Sequence, residues 1–362
     1  MILRAARKIT RPLHFGLGGI PPADTGSRGH IPYDMFDQER TAKEVKAARL
    51  MARMYHKGQE KAWEGEVLLK ELLEKHGGVH LKPEQLEPVK RLFAVIFWGE
   101  MAAWKVSAEL ALELEPLEAK MAATSQAHDE ARHFYVMHDY LSLLDYTPAV
   151  LPPASNRVIQ TILQADNLAK KLMGMQLMVE PIALTLFQIV RKNKLEPVLC
   201  ELLEYYERDE ARHVALGVQY LPTLLGQMSK RELADFYVWQ IRLFLLELDA
   251  VIEMATDFQA LGFSPQQAIR IGELKQLHAA RMLRAQMNTD FPFEEVLTRV
   301  VEARMALDFP TDHVDERNRL QRWRDAVTAL VSNTREVRDI QRTLDGLNTE
   351  GAFPAEHVLP AA

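Results

Sequence analysis

The string Asp129-Glu130-Ala131-Arg132-His133 returns unchanged 80 residues later as Asp209-Glu210-Ala211-Arg212-His213. Each copy sets a Glu and a His three residues apart. On a helix that spacing puts both side chains on one face, about one turn apart. A carboxylate and an imidazole so placed can share a metal ion, and two such helices facing each other can hold two. Glu100 precedes Glu130 by 30 residues, and Glu180 precedes Glu210 by the same interval. Both lie in apolar stretches of helical character, Phe97-Trp98-Gly99-Glu100-Met101-Ala102-Ala103-Trp104 and Leu177-Met178-Val179-Glu180-Pro181-Ile182-Ala183-Leu184. A glutamate is costly to bury in such surroundings unless it is paired or bound to metal. The pattern predicts an all-α fold, a four-helix bundle with a dinuclear metal site. Two of its helices would carry a single Glu, and the other two a Glu-x-x-His pair. The expected metal ligands are Glu100, Glu130, His133, Glu180, Glu210 and His213.

An Asp stands before each motif Glu. A metal-bound His usually gives its other ring N–H to a carboxylate, which fixes tautomer and orientation. Asp129 and Asp209 are placed for that part, each serving the His of the opposite helix. Arg132 and Arg212 are expected to pair with these aspartates and offset the acid load. Four carboxylates and two imidazoles form a hard ligand set that suits Fe(II) or Mn(II), and their four negative charges balance two divalent cations. Two metals bridged by carboxylates can share the electrons that O₂ reduction needs.

The remaining composition narrows the class. The chain has 362 residues, 48% hydrophobic and 26% charged, as in an ordinary soluble protein. Its net charge of −6 gives no reason to expect nucleic acid as a partner. Cys200 is the single cysteine, so neither a disulfide framework nor a thiolate metal site is expected, and a reducing cytoplasm is the simplest setting. No uncharged apolar run reaches the roughly 20 residues of a membrane span. The basic start, Met1 to Lys8, lacks the apolar stretch of a secretory signal.

Residues 1–40, rich in Gly and Pro, read as an irregular arm, and 346–362 as a tail. Between them, 41–345 reads as one helical domain. Its metal-binding bundle covers about 83–225, with additional helices over about 229–345. Helical pattern begins near Glu39, with a break expected at Lys57-Gly58 and a stop at Gly77-Gly78. The bundle helices are expected over Pro83–Glu115, Leu117–Leu144, Arg157–Asn193 and Glu196–Leu221. Later helices are expected at Ser229–Leu261, Ser264–Met287, Pro292–Leu307 and Arg317–Leu344. They would cover the bundle or form a subunit interface, and a homodimer is the base-rate expectation. Pro181 removes a helical N–H beside Glu180 and is expected to distort the third helix there. Phe97, Trp98, Met101, Trp104, Phe134, Met175, Met178 and Ile182 flank the ligands. They would form core packing or line an apolar pocket. Glu207, whose counterpart in the first copy is Ala127, reads as Arg-paired or solvated.

The doubled motif and its spacing resemble the ferritin-like di-iron carboxylate oxidases and oxygenases. That superfamily includes multicomponent monooxygenase hydroxylases, acyl-carrier-protein desaturases, ribonucleotide reductase small subunits and their ligand-binding oxidase relatives. The resemblance covers about residues 85–225. It implies a ferritin-like bundle in which Glu100, Glu130 and His133 serve one iron and Glu180, Glu210 and His213 the other, with Glu130 and Glu210 bridging. It further implies two iron ions or a Mn/Fe pair, O₂ as co-substrate, an apolar organic substrate and hydroxylation or desaturation. An external electron donor such as a ferredoxin or reductase follows, since the chain has no flavin, nicotinamide or iron–sulfur motif. Radical-storing reductase subunits carry a Tyr where this chain has Met137. Amine N-oxygenases carry an extra His where it has Tyr206. Monooxygenases carry a Thr one turn after the third-helix Glu, and here the nearest is Thr185, one step late, which makes it the catalytic candidate. An iron-handling protein and a non-catalytic bundle subunit are the rival readings.

Overall fold

The computed structural model describes residues 37–39, 42, 49–287, 293–308 and 318–332. The expected arm, apart from 37–39, lies outside them, as do the tail and the end of the last helix. Helices α1 (Arg49–Glu60) and α2 (Gly65–His76) lead into the long α3 (Pro83–Glu113) and α4 (Leu117–Ser142). Then follow α5 (Pro153–Leu163), α6 (Leu168–Leu172), a π-helical turn over Met173–Val179, and α7 (Glu180–Lys192). The fourth bundle helix is α8 (Pro197–Leu225). After it come α9 (Lys230–Glu253), α10 (Ala255–Ala260), α11 (Pro265–Met287), α12 (Phe293–Asp308) and α13 (Arg319–Val331). No strand occurs among the described residues.

Local chemistry sets the helix ends. Pro83 and Pro197 open α3 and α8, where a missing N–H costs nothing. Glu196 caps α8 by accepting from the Leu199 N–H at 2.7 Å. Gly77 ends α2 in the left-handed region, φ +73°. Ser229 and Glu232 close a capping box on α9.

Three expectations about breaks are corrected; one is that the helix expected over Ser229–Leu261 is parted at Met254 into α9 and α10. Gly58 lies inside α1, and the chain leaves the helix only after Glu60. The glycine serves close packing instead: a Cβ there would fall 2.1 Å from Ser125 Oγ on α4. The third bundle helix is not continuous over 157–193. It stops at Leu163 and restarts at Leu168, where the Asn167 side chain accepts from Lys170 N–H at 3.0 Å. The Pro181 distortion appears as the π-helical turn just upstream. There the Glu180 N–H bonds to the Met175 carbonyl, five residues back.

Two apolar cores flank one polar layer. One core takes Ala103, Val106 and Leu110 of α3, Ala122 and Ala123 of α4, Leu184 of α7 and Val214 of α8. The other takes Phe93 and Phe97 of α3, Met137 and Tyr140 of α4, Phe187 of α7 and Tyr206 of α8. On α3, α4 and α8 the site glutamate or histidine falls where the chain passes from one core to the other, whereas on the third bundle helix Glu180 lies between Met178 and Leu184 of the first core and the passage comes after it, at Leu186. The stretch Leu168–Lys192 is long and apolar enough to cross a membrane, yet 78% of its apolar window is buried in the bundle. Its apolarity is that of a central helix.

Candidate metal centre

All six predicted ligands are buried and come together. Glu100, Glu130, His133 and Glu210 form one group, and Glu130, Glu180, Glu210 and His213 the other, each with its ligand atoms within 4.8 Å of one another. His133 Nδ1 lies 3.4 Å from Glu100 Oε2, 3.5 Å from Glu130 Oε2 and 3.2 Å from Glu210 Oε1. His213 Nδ1 lies 3.3 Å from Glu180 Oε2, 3.0 Å from Glu130 Oε1 and 3.0 Å from Glu210 Oε2. Glu130 and Glu210 thus turn one oxygen to each half, the disposition of a bridging carboxylate. Glu100 and Glu180 each face one half only.

The outward ring nitrogens are held crosswise. His133 Nε2 lies 3.3 Å from Asp209 Oδ2, and His213 Nε2 lies 3.3 Å from Asp129 Oδ2. Each aspartate therefore serves the histidine of the opposite copy, and each Nδ1 is left facing inward. Arg132 pairs with Asp129 at 2.5 Å and Asp209 at 2.9 Å, and Arg212 with both at 2.8 Å. The two arginines tie the copies into one buried ring of charges.

The donor set fits two divalent cations. Four glutamates and two aspartates against two arginines leave a formal charge of −4, which two such ions cancel. Counting protein groups alone, burial pushes the Glu100 and Glu180 carboxyls well above the ordinary carboxylate range. Burial works against ionisation of Glu130 too, but His213 and His133 outweigh it and hold that carboxyl low. The imidazoles are raised against burial, His133 mainly by Asp209 and Glu100, His213 mainly by Glu130 and Glu180. Protons on Glu100, Glu180, His133 and His213 would supply the same four charges as the two ions. His133 Nδ1, Glu130 Oε2 and Glu180 Oε2 have no hydrogen-bond partner, an expensive arrangement unless a cation takes them.

Three further residues belong to the site. Gln126 donates to Glu130 Oε1 at 3.0 Å and Glu180 Oε1 at 2.7 Å, and accepts from Gln176 Nε2 at 3.2 Å. Gln126 lies four residues before Glu130, so its place on the ligand face was readable from the spacing. Trp63, on the chain between α1 and α2, donates its indole N–H to Asp209 Oδ2 at 2.7 Å and lies under the Arg132 guanidinium. Nothing in the local sequence marks it. Glu207 is paired with Arg191 at 2.8 Å, as expected. Thr185 is buried, and its hydroxyl donates to the Pro181 carbonyl at 2.7 Å.

A cavity of about 160 Å³ opens against the cluster, with Glu100, Glu130, Glu180, Glu210 and Thr185 in its wall. Of the eight residues expected to pack or to line a pocket, Met175 and Ile182 line it. Phe97 and Phe134 stack on each other with ring centroids 4.4 Å apart, and Trp98 and Met101 line a separate surface depression. The far wall comes from later helices, through Phe244, Leu248, Val251, Met254, Phe258 and Ile269. These helices cover the bundle, one of the two places expected for them.

No family model matches the sequence, and no curated protein matches it. Solved structures do. A dimanganese(II) NrdF of Streptococcus sanguinis aligns over 67% of this chain and 90% of its own, at 14% identity and a TM-score of 0.53. A variant of an R2-like ligand-binding oxidase with an Fe/Fe cofactor aligns over 71% of this chain and 98% of its own, at 16% identity and a TM-score of 0.53. Another variant of that oxidase, with a Mn/Fe cofactor, gives the same coverage and identity at a TM-score of 0.51. At these identities the likeness speaks for the fold, and the chain has the ferritin-like helical fold of these dimetal proteins.

Proposed function

We propose that the protein is an O₂-activating dimetal oxidase or oxygenase, loaded with two iron ions or a Mn/Fe pair. Its substrate would be an apolar organic molecule, oxidised by hydroxylation or desaturation. The carrying observation is that Glu130 and Glu210 each turn one oxygen to each half of a buried six-residue cluster that opens on an apolar cavity. Glu100, Glu130, His133 and Glu210 would hold one metal, and Glu130, Glu180, Glu210 and His213 the other. The metal pair, when bound, supplies the electrons that reduce O₂.

The chain's own residues do the rest. Asp129 and Asp209 hold the imidazoles with Nδ1 free to bind metal. Arg132 and Arg212 pair with both aspartates and offset their charge. Gln126 orients Glu130 and Glu180. The apolar wall keeps water from the cluster and receives the substrate. Thr185, the hydroxyl in the wall just after Glu180, is the candidate for holding a proton near it. Electrons come from an external donor such as a ferredoxin or reductase. The hydrogen-bonded series Trp63, Asp209, His133 is a route for them from the partly exposed Trp63.

Metal analysis of the purified protein beside Glu130→Ala and Glu210→Ala tests the reading, followed by O₂ uptake with a reductant. About two metals per chain in the wild type, lost in both variants, with metal-dependent O₂ uptake, is the expected result. No bound metal after anaerobic Fe(II) loading would sink it. Iron far in excess of two per chain would point to iron storage.

A further inference from the structure

The cavity carries two carboxyls outside the six-ligand set, Glu247 of α9 and Glu273 of α11, only 3% and 2% exposed. Their partners differ. Glu273 accepts from the Arg270 guanidinium at 3.0 Å, so it has a counter-ion. Glu247 has only an amide: its Oε2 accepts from Gln276 Nε2 at 2.8 Å, and Gln276 also reaches the Met178 carbonyl at 3.4 Å. Glu247 Oε1 has no hydrogen-bond partner. No Lys, Arg or His is among the described residues lining the cavity. A buried carboxyl oxygen without a partner is costly, and a donor on a bound ligand would remove that cost.

These surroundings discriminate between head groups. An anionic ligand would meet carboxyls at six of the nine polar residues of the wall. An alcohol could bond to Glu247 but would bring no charge. A positively charged N–H donor brings both the hydrogen bond and the counter-ion that an ionised Glu247 needs. The volume of about 160 Å³ resembles that of an engineered apolar cavity that takes benzene, which sets an apolar body of roughly six to eight carbons.

We propose that the cavity binds a small apolar primary amine, its ammonium group held by Glu247 and its apolar body lying toward the metal-binding cluster. Gln276 fixes the carboxylate that receives it. Burial pushes the Glu247 carboxyl up to about 8, so binding of an ammonium ion at neutral pH ionises that acid and releases one proton to solvent. The proposal rests on the oxidase reading only in naming the amine a substrate. Its binding chemistry stands apart.

Calorimetric titration of the metal-loaded protein under argon tests it, with hexylamine, 1-hexanol and hexanoate as probes. Hexylamine is expected to bind at least about tenfold more tightly than 1-hexanol, with hexanoate weakest, since a charge-assisted hydrogen bond is worth that factor or more. In Glu247→Gln the amine advantage should vanish while 1-hexanol keeps its affinity. Hexanoate binding as tightly as hexylamine, no hexylamine binding, or an undiminished amine preference in the variant would overturn the proposal. If the variant does not fold, the wild-type order decides alone. Intact O₂ uptake with hexanoate preferred defeats the amine assignment only. Amine preference without metal-dependent O₂ uptake defeats the oxidase reading only.

Discussion

The two halves of the centre share a ligand motif but not its supports. Around His133 the packing is aromatic: Tyr206 stacks on the ring at 4.1 Å and donates its hydroxyl to the His133 carbonyl at 2.6 Å, while Trp63 holds Asp209. Around His213 the support is amide. Gln126, the counterpart of Tyr206 in the first copy, braces Glu180, and Gln176 on the π-helical turn braces Gln126. The half near His133 is therefore packed by rings and linked to a partly exposed indole. The half near His213 adjoins a distorted helix against which Gln276 and Glu247 pack. The repeated motif keeps the groups placed to touch metal in both copies, while the residue one turn away differs: in the proposed reading electrons enter at the half that carries Trp63, and both halves face the cavity, through Glu100 and Glu180.

The sharpest way to break that comparison is to cut what the halves share. Glu130→Ala or Glu210→Ala should empty both positions, taking bound metal from about two per chain to near zero by elemental analysis. Glu100→Ala or Glu180→Ala should cost mainly one position, leaving about one metal per chain. Equal loss in all four variants would mean that the halves fill only as a unit.

Next in size is a pH effect confined to the wall beside the second half. Burial raises the Glu247 carboxyl to about 8, above its unfolded value, so between those values the folded chain binds the extra proton. Stability held by that proton is complete at low pH and is lost as pH rises toward 8. Glu247→Gln removes the dependence. The variant and the wild type should melt at similar temperatures near pH 5, and the variant should gain on the wild type by a few kcal/mol, read as several degrees, by pH 8. A constant gap would place Glu247 in a wet or ion-paired setting.

Smaller again is the pair Asp209→Asn and Asp129→Asn. Each takes a carboxylate from an outward Nε2, and metal affinity measured by chelator competition should fall roughly 10–100-fold in each. Asp209→Asn should in addition slow reduction of the metal-loaded protein by an external donor, because Asp209 links Trp63 to His133. Asp129→Asn should not, having no such indole. Equal reduction rates would remove the electron-entry half of the comparison.

Some of this was legible in the sequence and some was not, for a physical reason. Helix periodicity and the repeated spacing located all six cluster residues, because i to i+3 geometry is local. The crosswise Asp–His pairing followed from what imidazole ligands need. Trp63 was invisible because it reaches Asp209 across 146 residues, and no short-range pattern encodes that contact. The break at 164–167 was hidden because the helical pattern resumes behind the Asn167 cap. Gly58 suggested a break because glycine is a poor helix former, whereas its missing side chain serves contact with Ser125. The cavity was half legible. Met175 and Ile182 were singled out, but its far wall depends on how α9 to α11 dock.

The finest distinction lies between Gln126 and Tyr206, the same position in the two copies. Gln126→Leu leaves Glu180 Oε1 without its donor inside the protein. That should cost about 1–3 kcal/mol of stability and loosen Glu180 in particular. Tyr206→Phe keeps the stacked ring and removes only the hydrogen bond to the His133 carbonyl. Its cost should be about 1 kcal/mol, or roughly 2–4 °C in the melting temperature of a domain this large. Metal content should stay at the wild-type level in Tyr206→Phe, because the ring still packs the imidazole. If Tyr206→Phe lost metal from the His133 half, the hydroxyl would be fixing the helix that carries His133, and that half would owe its order to one hydrogen bond instead of to aromatic packing.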